Sequence, residues 1–97
     1  NIKAQTYIGF MYDQGKGVSK NLKLAVFWYR KAALQGYSTA QVNLGISYEN
    51  GEGLEKDFKQ AVYWYRKAAN QENSRGQNAL GSMYYNGQGV TKDFKKA

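Results

Sequence analysis

Trp28-Tyr29-Arg30-Lys31-Ala32-Ala33 returns as Trp64-Tyr65-Arg66-Lys67-Ala68-Ala69, about 36 residues further on. The same offset aligns Gly9 with Gly45 and Gly81, and Tyr12 with Tyr48 and Tyr84. Gly15-Lys16-Gly17-Val18 falls on Gly51-Glu52-Gly53-Leu54 and on Gly87-Gln88-Gly89-Val90. Lys20, Lys56 and Lys92 coincide, as do Ala25, Ala61 and Ala97. Matching at so many positions is the mark of a repeat architecture, in which each unit covers its apolar face with the next. The units run approximately over 1–36, 37–72 and, incompletely, 73–97, so 1–97 reads as one solenoid.

Each unit reads as two helices. Ala40, Leu44, Ser47 and Tyr48 share one face of a first helix, A, spanning roughly Ala40 to Asn50. Gly51 supplies a residue able to turn left-handed and end it, Gly53 keeps the turn tight, and Leu54 returns an apolar contact. Asp57 is placed to cap a second helix, B, with Gln60 as a capping-box partner. Asn21 and Asp93 hold the same capping position. Helix B is predicted to run to about Gln71. Phe58, Ala61, Val62, Trp64, Tyr65, Ala68 and Ala69 make its apolar surface wider than one stripe, so it should pack on two neighbours. Gly36 ends the first helix B. Glu72 replaces it in the second unit, where a stop through Asn70 or Asn73 is expected.

Composition narrows the chemistry. The 97 residues include no Pro, Cys or His. Disulfides, thiolate zinc sites and the commonest general base are therefore absent, and no metal or cofactor is expected. Lys and Arg number 14 against 7 Asp and Glu, a net charge of +7. No apolar run approaches the roughly 20 residues of a membrane helix. The chain opens just before the first helix A and closes a turn into the third helix B. Neither end has the polar outer face of a solenoid terminus, so a piece of a longer array is expected. Leu80, Tyr84 and Phe94 would then be poorly covered and favour end-to-end self-association.

The pattern Ala40-x3-Leu44-Gly45-x2-Tyr48-x2-Gly51-x-Gly53-Leu54, followed by Lys56-Asp57-x3-Ala61-x2-Trp64-Tyr65-x2-Ala68-Ala69, resembles the Sel1-like repeat, a relative of the tetratricopeptide repeat. The resemblance covers essentially the whole chain. It implies an all-α, right-handed superhelix of antiparallel helix pairs, about two and a half repeats long. It also implies a non-enzymatic adaptor or scaffold for another protein or peptide. A Cys-rich bacterial subset of the family staples its units with disulfides and is linked to β-lactam binding. This sequence departs from that subset: Gln5, Gln41, Gln77, Ala33 and Ala69 stand at or near the cysteine places. The compartment stays open, with the resemblance leaning it toward the bacterial periplasm or secretion.

Several motifs have a bland explanation. Gly15-Lys16-Gly17 looks like a phosphate loop, but it follows a helix, and its equivalents carry Glu52 and Gln88 in place of the Lys. The Trp28-Tyr29 and Trp64-Tyr65 pairs keep step with core Ala residues, which favours packing over base or sugar stacking. Lys23, Lys59 and Lys95, with Arg30, Lys31, Arg66 and Lys67, give helix B a basic face. A solvated face is expected there ahead of nucleic acid, an anionic membrane or an acidic partner. Asp13 and Glu49 occupy equivalent places on successive A helices, at a separation that would suit a glycosidase pair, but the third unit has Tyr85 there.

Positions that do not repeat are free to specialise. The face of helix A turned away from Leu44 and Tyr48 carries Thr39, Val42, Ile46, Glu49 and Asn50. Its equivalents include Lys3, Thr6, Phe10 and Asp13 in the first unit, then Arg75, Asn78, Ser82, Tyr85 and Asn86 in the third. Phe10, Val42, Ile46 and Tyr85 sit where solvent-facing residues would be expected. This concave face of the A helices is the predicted partner-binding surface. A glycan- or peptidoglycan-binding module, with or without hydrolase activity, is the alternative.

Overall fold

The structure is a computed structural model and describes residues 1–89. Asp93 and Phe94, together with Val90, Lys92, Lys95, Lys96 and Ala97, lie outside the described residues. Within them the chain forms five helices and no strand: α1 (Ile2–Gln14), α2 (Leu22–Ala33), α3 (Ser38–Asn50), α4 (Phe58–Ala69) and α5 (Ser74–Asn86). α1, α3 and α5 are the A helices; α2 and α4 are the B helices. Each helix packs on the next in sequence, and α3 also touches α5. The result is an elongated body of 42 × 24 × 18 Å, as expected where units stack in one direction.

Local chemistry explains the helix ends. The Asp57 carboxylate accepts from the backbone N–H groups of Lys59 and Gln60 at 3.0 and 3.2 Å. Asn21 caps α2 by accepting from Leu24 N–H at 3.1 Å. Gln60 does not complete a capping box. The Asp57 N–H instead donates to the Tyr48 carbonyl at 2.9 Å, and Asn21 N–H donates to Tyr12 in the same way. The cap residue is thus tied to the preceding A helix, which fixes the turn between them. Gly51 ends α3 at φ 69°, in the left-handed region. The turn after α4 departs from expectation. Asn70 is the C-cap of α4 but stays right-handed at φ −65°, and the left-handed residue of the turn is Glu72 at φ 61°, copying Gly36 at φ 92°. Its N–H reaches the Ala69 carbonyl at 2.9 Å, and that of Asn73 reaches Ala68 at 3.2 Å. Asn73 caps α5 instead, accepting from Gly76 N–H.

The core explains the doubled apolar face of helix B. One cluster joins Ala25, Tyr29, Ala32 and Ala33 of α2 to Ala40 and Leu44 of α3 and to Trp64 of α4. A second joins Val42 of α3 to Ala61, Val62, Tyr65 and Ala68 of α4 and to Met83 of α5. Trp64 therefore belongs to the core of the preceding unit, and only Trp28, its counterpart in α2, stays half-buried. The repeating helix A glycine is a seat for the helix B tyrosine. A Cβ on Gly45 would stand 2.5 Å from Cε1 of Tyr65, and one on Gly9 2.8 Å from the Tyr29 ring. A buried side-chain amide ties the second unit to the first. Gln41 donates to the Ala33 carbonyl at 3.2 Å and accepts from Gln71 at 2.9 Å.

Candidate functional site

Residues 3, 39 and 75 are one position of the repeat, and the structure brings all three together. Lys3, Thr39 and Arg75 line a hollow of about 320 Å³ formed along the A helices. Thr6 and Phe10 of α1 join them, with Tyr7, Tyr37 and Asn43 completing the wall. Tyr7 is 62% exposed and stacks on Phe10, with ring centroids 6.5 Å apart. Lys16 sits over the Phe10 ring at 5.4 Å. Exposed aromatic faces therefore lie beside two cations, Lys3 and Arg75, that make no ion pair among the described residues.

The other predicted residues divide by what they touch. Val42 corrects the expectation of a solvent-facing side chain: it is 1% exposed and packed in the second core cluster. Ile46 is half-buried against the same cluster. Thr6 is mostly buried, and its hydroxyl donates to the Ile2 carbonyl at 3.0 Å. Asn50, Asn78, Ser82 and Asn86 are exposed, as is Tyr85, but none lines the hollow. The reason is rotation. α4 docks on the side of α3 that carries Val42 and Ile46, so on α3 the hollow is lined by Thr39 and Asn43, a step round the helix. Tyr7, Asn43 and Ala79 are equivalent and all differ. That variation was the available signal for these two missed residues; Tyr37, whose equivalents Asn1 and Asn73 also differ from it, precedes α3 and so lay outside the helix face considered.

Asp13 and Glu49 each have a structural task. The Tyr29 hydroxyl donates to Asp13 at 3.1 Å, and the Tyr65 hydroxyl to Glu49 at 2.6 Å. Both phenols are held above their ordinary titration range. Burial is the larger cause for each. The Asp13 charge follows for Tyr29, and the hydrogen bond to Glu49 follows for Tyr65. The positive charge of Arg75 acts on both in the opposite sense. Arg30 donates to the Tyr48 hydroxyl at 2.6 Å, and Arg66 makes the matching bond to Tyr84, so the arginines that recur with the repeat also link B to A. Among the described residues no three His, Cys, Asp or Glu side chains gather as a metal site.

Stacked antiparallel helix pairs with a variable hollow along one row of helices define an all-α repeat solenoid. The chain belongs to the Sel1 repeat family, whose model matches residues 2–37, 38–73 and 74–97. Members of that family commonly serve as protein-interaction modules. A Sel1 repeat protein from Oxalobacter formigenes is 47% identical over 99% of this chain, with a TM-score of 0.95. A protective antigen present in uropathogenic Escherichia coli strains, with an SLR fold, is 41% identical over 98% of it, at 0.96. The chain spans 40% and 20% of the length of those two proteins. Helicobacter pylori cysteine-rich protein B is 27% identical over 97% of this chain and 77% of its own length, at 0.77. No curated protein sequence matches the chain.

Proposed function

We propose that this chain is a protein- or peptide-binding scaffold that holds its partner along the A helices. One observation carries this reading: Lys3, Thr39 and Arg75 occupy a single repeat position, differ in chemistry, and converge on one hollow beside Tyr7, Phe10 and Tyr37. Stacking needs no such residues there. An aromatic centre with a polar, charged rim is how interfaces concentrate binding energy.

Selection of a displayed random-peptide library on the 97-residue chain, followed by calorimetric titration of the recovered peptides, tests it. The variant Tyr7→Ala/Phe10→Ala/Arg75→Ala should bind those peptides roughly tenfold or more weakly, since truncating aromatic and Arg anchors costs most. Circular dichroism must first show a native helix content. A folded triple variant that binds unchanged overturns the groove. The stacked, exposed Tyr7–Phe10 pair supports the second reading, a glycan-binding module. Saturable binding of soluble muropeptides, with no peptide recovered from the library, would favour it.

A further inference from the structure

A larger hollow, about 640 Å³, lies on the helix B side and shares no residue with the groove above. Val26, Phe27 and Leu34 of the first unit and Leu54 of the second give it an apolar floor. Phe27 is 54% exposed and Leu34 71%. Lys23, Arg30 and Lys31 rim it, and none of the three forms an ion pair among the described residues. Lys31 lies over the Phe27 and Trp28 rings at 5.8 and 5.5 Å, and Arg30 is steadied by the Tyr48 hydroxyl.

The second unit is an internal control. It keeps Lys59, Val62, Arg66 and Lys67 at the matching positions but places Tyr63 and Asn70 where the first has Phe27 and Leu34. Those two positions are exposed in both units, so neither choice is dictated by stacking. The basic rim is therefore a property of the repeat, whereas of the two units the first alone adds the exposed Phe27 and Leu34 to the floor.

We infer that this hollow is a second docking surface, and that its occupant is an acidic amphipathic helix of another protein. Charge complementarity sets the sign, because the rim is wholly cationic. Shape sets the class: a helix presents a ridge of side chains that fills a concavity, whereas a bilayer surface leaves it empty. Lys23 to Lys31 spans about 12 Å of α2, roughly two turns of a partner helix laid alongside it. Carboxylates flanking a leucine ridge would then reach the rim while the ridge covers Phe27 and Leu34.

The probe is a labelled synthetic helix with leucines at i, i+3, i+4 and i+7 and glutamates on both flanks, titrated into the chain by fluorescence anisotropy. The variant Phe27→Tyr/Leu34→Asn installs the residues that the second unit already carries, so its folding is protected. It should bind the probe roughly tenfold more weakly, as should Lys23→Glu/Lys31→Glu, while Lys59→Glu should have little effect. A probe with glutamine for glutamate should bind like the weakened variants. Equal binding by wild type and Phe27→Tyr/Leu34→Asn overturns the proposal. So does binding to phosphatidylserine vesicles with none to the helix, which would identify a lipid surface.

Discussion

The Tyr65 hydroxyl donates to Glu49 at 2.6 Å, and the corresponding Tyr29 hydroxyl donates to Asp13 at 3.1 Å. A helix B phenol thus meets a helix A carboxylate in both complete units, above a glycine that seats the ring. The bond is part-buried, so its two partners are not equivalent in cost. Glu49→Ala removes the acceptor and leaves a donor unsatisfied, which costs about 1–3 kcal/mol. Tyr65→Phe leaves a carboxylate that water can still reach and should cost about 1 kcal/mol. Urea unfolding of both variants checks the order. Equal stability of Glu49→Ala and wild type would show that the bond contributes nothing.

The same pair predicts an alkaline limit. Burial and the neighbouring carboxylates raise both phenols above the ordinary value of 10.0. Their contribution to stability is complete below pH 10.0. Above it the unfolded chain loses phenolic protons that the folded chain keeps, so stability falls as pH rises. Denaturant melts from about pH 9 to about pH 11 should show this decline. Tyr65→Phe should make the decline shallower. Ultraviolet titration should show Tyr29 and Tyr65 ionising late, together with unfolding.

Gly45 is set by space. An added methyl would stand 2.5 and 2.6 Å from two carbons of the Tyr65 ring, which is itself enclosed. Gly45→Ala gains about 1 kcal/mol of helix propensity. Overpacking opposes it by about 1–3 kcal/mol. A lowered melting temperature is the expected outcome, and a rise would mean that Tyr65 can move aside.

Glu72 and Gly51 are opposite cases of one backbone requirement. Glu72 holds φ 61° with a side chain that disfavours it, close after the C-terminus of α4, where negative charge is unfavourable. Glu72→Gly should stabilise the chain by up to about 1 kcal/mol, after the added freedom of the unfolded glycine is counted. Gly51→Val forces a β-branched residue into φ 69° and should cost more than about 1 kcal/mol. Thermal melts of the two variants should move in opposite directions. Movement in the same direction would show that left-handed strain is not what separates them.

The repeat, its helix pairs, the Asp57 and Asn21 caps and the Gly51 stop were all legible in the chain. These depend on neighbours within a few residues, or on a periodicity that repeats the same neighbours in each unit. The sequence also marked helix A as the variable element. Which of its residues face outward depends on how the helices dock. Val42 and Asn43 differ by one step along α3, and the docking of α4 buries the first and leaves the second in the hollow. The roles of Asp13 and Glu49 were decided in the same way, because their phenolic partners lie on another helix. So was the left-handed turn at Glu72: packing of α4 and α5 on their neighbours holds the chain there against the residue's own preference. Propensity and pattern describe a helix along its axis; its rotation about that axis is set by the surfaces it must bury.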